Sequence, residues 1–127
     1  MPEKILVVDD SKLVTDIVKM RLSMYGYDVQ LAHSGEEALA KIADDVPDLM
    51  VLDVQMPGID GYEVLRRLRA DARTQHIPVV AVSANAMHDD VSAGRAAGFD
   101  AYLTKPVDLD QLIDTVRSLL PAGLSPD

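Results

Sequence analysis

Apolar and polar positions follow two different periods along this chain. Ile5-Leu6-Val7-Val8 is an unbroken apolar run rich in β-branched residues, and it stops at Asp9-Asp10. A run of that length predicts a strand buried on both faces. From Ser11 the spacing turns helical. Leu13, Ile17, Met20 and Met24 fall on one face, which reads as the side packed on the core. Ser11 is placed to cap this helix and Gly26 to end it. Tyr27 to Ala32 predicts a second, more polar strand. Ser34 and Glu37 stand at capping-box spacing and open a helix with Leu39, Ile42, Ala43 and Val46 on its apolar side, ended by Pro47-Asp48.

The alternation continues. Leu49 to Leu52, Pro78 to Val82 and Phe99 to Leu103 predict three more strands. A helix from about Gly61 turns Val64, Leu65 and Leu68 inward, with Arg66, Arg67 and Arg69 as a solvated face. A fourth helix over 87–98 has few large apolar residues, and a fifth over 109–120 is strongly amphipathic through Leu109, Leu112, Ile113, Val116, Leu119 and Leu120. Strand followed by helix, five times over, predicts an α/β fold: a doubly wound, five-stranded parallel sheet with helices on both faces and right-handed crossovers. One domain over residues 1–120 is expected, followed by a short flexible tail, 121–127, that has no apolar pattern.

Composition narrows the chemistry. The 127 residues carry 21 acidic and 12 basic side chains, a net charge of −9, which argues against direct binding of a nucleic-acid backbone. There is no cysteine, so disulfides, thiolate metal sites and cysteine nucleophiles are excluded. No apolar run approaches the roughly 20 residues of a membrane span. Met-Pro-Glu-Lys is not followed by a signal-peptide pattern, and a cytoplasmic location is expected.

The polar residues that end the strands carry the candidate chemistry. Strand one ends at Asp9 and Asp10, strand three at Asp53, strand four at Ser83 and strand five at Thr104-Lys105. In a parallel sheet these ends share one edge, where ligands of open α/β sheets bind. Three carboxylates brought together repel, and a divalent cation relieves that; hard oxygen ligands suit Mg²⁺. Taken singly, each has a plainer reading. An Asp can cap a turn, Ser83 a helix, Lys105 can sit in solvent and Tyr102 can simply pack. His33, His76 and His88 show no metal or acid spacing and read as surface residues. Met20, Met24, Met50, Met56 and Met87 read as core or loop packing rather than a cofactor site.

Four segments, "ILVVDD" at 5–10, "VLDVQMPGIDG" at 51–61, "PVVAVSA" at 78–84 and "YLTKP" at 102–106, stand in order and at a spacing that resembles the CheY-like receiver domain of two-component response regulators, over residues 4 to about 120. The resemblance implies the strand order 2-1-3-4-5. It implies that Asp53 accepts a phosphoryl group from a phosphohistidine on a histidine kinase or histidine phosphotransfer protein. It implies Mg²⁺ held by Asp10, Asp53 and the backbone carbonyl of Gln55, with Asp9 acting through water. Lys105 would pair with the phosphoryl oxygens. Ser83 would be the hydroxyl that shifts to the phosphate, with Tyr102 turning inward behind it. The Lys105–Pro106 bond would be cis. Gln55 and Asn85 would flank the pocket at positions that tune dephosphorylation.

On this reading the protein modifies itself at Asp53 and is not a turnover enzyme on external substrates. Its expected output is a protein-binding face of fourth helix, fifth strand and fifth helix, acting on an unknown target or relaying the phosphate, with no direct contact to nucleic acid or membrane. Two alternatives within the family are a receiver cut from a hybrid histidine kinase and a pseudo-receiver that works without phosphate. A haloacid-dehalogenase-type phosphatase also uses a strand-end Asp with Mg²⁺, but needs a second acid two residues on, where this chain has Gln55. A flavodoxin-like FMN binder needs a Ser/Thr/Gly-rich phosphate loop after strand one, where "DDSK" is acidic and would repel the phosphate.

Overall fold

The computed structural model describes residues 3–84 and 98–120. The helix expected over 87–98, Gly98 apart, and the tail 121–127 lie outside them. The strands are β1 (Lys4–Val8), β2 (Asp28–Ala32), β3 (Leu49–Asp53), β4 (Val79–Ser83) and β5 (Ala101–Thr104). The described helices are α1 (Lys12–Ser23), α2 (Gly35–Asp44), α3 (Gly61–Ala70) and α4 (Leu109–Leu119). All strands pair in parallel, in the order β2-β1-β3-β4-β5. β1 therefore lies between β2 and β3, and the chain leaves it and β3 toward opposite sides, which opens a crevice between their ends.

Strand alternation sorts the core into two layers. Leu6, Val8, Met50, Leu52, Val79 and Ala81 meet Ala38, Ile42, Val64, Leu65 and Leu68 of α2 and α3. Ile5, Val7, Leu49, Val51, Val80 and Val82 meet Val18, Leu22, Leu112, Ile113 and Val116 of α1 and α4. Each buried aliphatic side chain of this kind contributes about 1.5–3 kcal/mol. Caps fix where the four described helices begin: Ser11 Oγ accepts from Val14 N, Ser34 Oγ from Glu37 N, Asp60 Oδ1 from Glu63 N and Asp108 Oδ1 from Gln111 N. The Glu37 carboxylate reaches back to His33 N at 2.7 Å. Gly26, at φ +86°, supplies the left-handed residue after α1.

Four sequence expectations need correction. On α1 the buried residues are Thr15, Val18 and Leu22, whereas Leu13, Ile17, Met20 and Met24 are exposed at 70, 43, 68 and 72 %. The helix carries two apolar stripes, and the sheet takes the one through Val18 and Leu22. On α2, Ala38 and Ile42 are buried, Leu39 only partly, and Ala43 faces solvent; Val46 is half-buried but lies past the end of the helix at Asp44. His33 is not a free surface residue: its Nε2 lies 3.1 Å from the buried Thr15 hydroxyl. That hydroxyl donates to Lys12 O, so the imidazole N–H donates to it. Arg69 is not solvated like Arg66 and Arg67, which pair with Glu63. Its guanidinium bonds the carbonyls of Gln75, Ile77 and Gly98 and the Asp100 carboxylate, tying α3 to the starts of β4 and β5.

Candidate functional site

The strand-end residues meet at one edge of the sheet. β3 ends on Asp53 and β4 on Ser83, paired in register with Thr104 at the end of β5. Val54 N donates to Val82 O and Lys105 N to Ser83 O, so the ladder continues past the strands and fixes where the side chains leave it. Asp9 follows β1, and its N–H donates to Ala32 O on β2. The Lys105–Pro106 bond is cis, as expected.

Three carboxylates and one ammonium form the centre. Asp9, Asp10 and Asp53 each offer an oxygen within 4.8 Å of the others; Asp9 and Asp53 are buried and Asp10 is exposed. Lys105 Nζ lies 3.1 Å from Asp9 Oδ2 and 3.2 Å from Asp53 Oδ2. The remaining oxygens are also held: Asp9 Oδ1 accepts from Ser11 N at 2.9 Å, and Asp53 Oδ1 from Gln55 N at 3.1 Å. Burial raises the Asp53 carboxyl above the usual carboxylate range. The Gln55 N–H opposes the rise, the Asp9 charge adds to it, and Lys105 opposes it. Burial is also the largest single influence on Lys105 and pulls it down, but its contacts with Asp9 and Asp53 together outweigh that and leave its ammonium raised.

Ser83 and Tyr102 belong to the other layer. They line an open hollow with Val54, Gln55, Met56, Pro57, Asp60 and Tyr62. Ser83 is fully buried. Tyr102 is half-buried and packs edge-on against Phe99, which packs edge-on against Tyr62. Gln55 touches both halves of the site, since its N–H bonds Asp53 and its Oε1 accepts from Ala84 N at 3.3 Å. Asn85 and His88 lie outside the described residues.

Two features escaped the sequence reading. Gly61 lets α3 start against β3: a Cβ there would lie 2.7 Å from Val54 Cα and 2.9 Å from Asp53 O. The second feature is a groove of Val14, Ile17, Val18, Lys105, Pro106, Val107 and Leu109 beside the ammonium. A Gly at a helix start is a weak signal, and a groove formed by residues this far apart leaves none.

Residues 5–117 match the response regulator receiver domain family. This chain belongs to that family. It is 42 % identical over 117 residues to the DNA-binding dual master transcriptional regulator RpaA of Synechocystis, covering 92 % of this chain and 48 % of RpaA. It is 45 % identical over 120 residues to the response regulator MprA of Mycobacterium tuberculosis, covering 94 % of this chain and 51 % of MprA. The receiver therefore spans about half the length of these relatives. Among solved structures it is similar to chemotaxis protein CheY4 of Vibrio cholerae, with a TM-score of 0.88 and 30 % identity, over 94 % of this chain and 100 % of that one. The acidic cluster of the receiver fits a Mg²⁺ site in donor chemistry: three carboxylates, one of them exposed, with no nitrogen or sulfur donor. No described helix is long and apolar enough to cross a membrane.

Proposed function

We propose that this receiver takes a phosphoryl group onto Asp53 and uses it to switch a protein-binding face. The supporting observation is the buried Asp53 carboxylate, 3.2 Å from the Lys105 ammonium and within reach of Asp9 and Asp10. Phosphoryl transfer asks a protein for positioning and charge neutralisation more than for covalent help. A carboxylate oxygen of Asp53 attacks phosphorus while the phosphorus–nitrogen bond of a donor phosphohistidine breaks, and the imidazole nitrogen keeps the electron pair. Lys105 favours the ionised nucleophile and can follow the phosphoryl oxygens, because its charge sits on a flexible stem. Mg²⁺, held by Asp10, Asp53 and the Gln55 carbonyl with Asp9 behind water, would neutralise the phosphoryl charge. Ser83 then shifts its hydroxyl to the new anion and Tyr102 turns inward behind it, with the output face on β5, α4 and their neighbours.

The donor docks on α1. Leu13, Ile17, Met20 and Met24 form an exposed apolar stripe about 16 Å long, and Ile17 also lines the groove that reaches Lys105. A stripe of that size buries too little for a stable dimer and suits a transient encounter with a partner helix. The cytoplasm, where histidine kinases present their phosphohistidine, is the proposed setting. Asp53→Asn tests the reading. With acetyl phosphate and Mg²⁺, the parent runs as a retarded, acid-labile band on a phosphate-retarding gel and the variant does not; equal behaviour of the two contradicts it.

A further inference from the structure

The side chain of Gln55 makes a contact that the phosphoacceptor chemistry does not use. Its Oε1 accepts from Ala84 N at 3.3 Å, while its own N–H supports Asp53 Oδ1 at 3.1 Å. Ala84 is the residue directly after Ser83. The backbone of β4 is also held here by ladder bonds, Val54 N to Val82 O at 3.0 Å on one side and Lys105 N to Ser83 O at 2.8 Å on the other. Ladder bonds cannot be cut without disrupting the sheet. The Gln55 bond lies just outside the ladder, joins two exposed residues, and lines the hollow into which Ser83 and Tyr102 also open.

We infer that the Gln55 carboxamide is a latch that holds Ala84, and with it Ser83, in the unphosphorylated arrangement. This rests on the reading of Asp53 as phosphoacceptor and Ser83 as the shifting hydroxyl. When Ser83 moves toward the phosphoryl group, the peptide N–H that follows it cannot keep its bond to Gln55, whose own backbone stays with Asp53. Breaking that bond is a cost of switching that the side chain at position 55 sets. A ligand that binds only the switched state gains apparent affinity when that state is more populated beforehand. Gln55 is thus a positioning residue, acting on the equilibrium through Ala84 rather than on the transferred group.

The test compares the parent with Gln55→Met, which keeps the length and loses the acceptor, and Gln55→Glu, which keeps an acceptor. Amide exchange at Ala84 is measured in each without ligand, and the apparent affinity for beryllofluoride with Mg²⁺ in the parent and Gln55→Met. We expect Ala84 to exchange several-fold faster in Gln55→Met and to be restored in Gln55→Glu. We expect Gln55→Met to bind beryllofluoride about threefold more tightly, the worth of one exposed hydrogen bond. Unchanged Ala84 exchange in Gln55→Met overturns the latch. So does faster exchange with unchanged affinity, since the bond would then not oppose switching. A parent that binds no beryllofluoride overturns instead the reading of Asp53, and the latch with it.

Discussion

Asp53 sits where a carboxylate is costly. It ends a strand whose residues are all buried, and burial raises its carboxyl above the ordinary range. A carboxyl raised in the folded state means that the ionised form weakens folding. The cost is absent at low pH, where Asp53 is protonated folded and unfolded alike, and appears as pH rises through the raised value. Asp53→Asn, measured without metal, should therefore raise the free energy of unfolding at neutral pH by on the order of 1 kcal/mol, read as a higher urea midpoint, because Lys105 keeps Asp9 as a partner 3.1 Å away. The gain should shrink as pH falls through the raised value and vanish below the ordinary carboxylate value. A loss of stability at neutral pH would show that the Asp53–Lys105 pair serves the fold instead. The strand-end polar residues were legible because each interrupts or closes an apolar run. His33 and Arg69 were not, because their partners, Thr15, Gly98 and Asp100, are brought to them only by the tertiary fold.

At the scale of elements, helix starts frame the site. The first residue of α3 touches the backbone of Asp53 and Val54, which cannot retreat without moving the end of β3. Gly61→Ala should cost about 2 kcal/mol by strain at that contact, read as a lower urea midpoint; a neutral effect would mean the helix start can slide. The elements themselves were legible from period and caps, and the observed strand bounds differ from the expected ones by one or two residues. The face of α1 was not legible, because Leu13, Ile17, Met20 and Met24 recur at helical spacing as regularly as the buried set. Only the sheet selects between the two stripes, by taking β-branched Val18 and the side chain of Leu22. The unused stripe should matter for donor docking. Met20→Lys should change stability by less than about 0.5 kcal/mol. It should slow transfer from a phosphohistidine protein severalfold and leave modification by acetyl phosphate unchanged. Equal slowing with both donors would place the defect in the site rather than at docking.

For the molecule as a whole, parallel topology turns distant residues into neighbours. Asp9, Asp53 and Lys105 belong to different strand ends, and the order β2-β1-β3-β4-β5 puts them within one ammonium's reach. The receiver thereby separates two tasks: one layer holds the acids and the ammonium, the other holds Ser83 and Tyr102, and β3 and β4 join them. The matched relatives are about twice as long as this chain. The central claim is that one carboxylate of three takes the phosphoryl group. The most direct test is to treat the parent with acetyl phosphate and Mg²⁺, trap the acyl phosphate by borohydride reduction, and map the modified residue by peptide mass spectrometry. The account predicts modification at Asp53 alone, absent when Mg²⁺ is chelated. Modification at Asp9 or Asp10, or none at any residue, would contradict it.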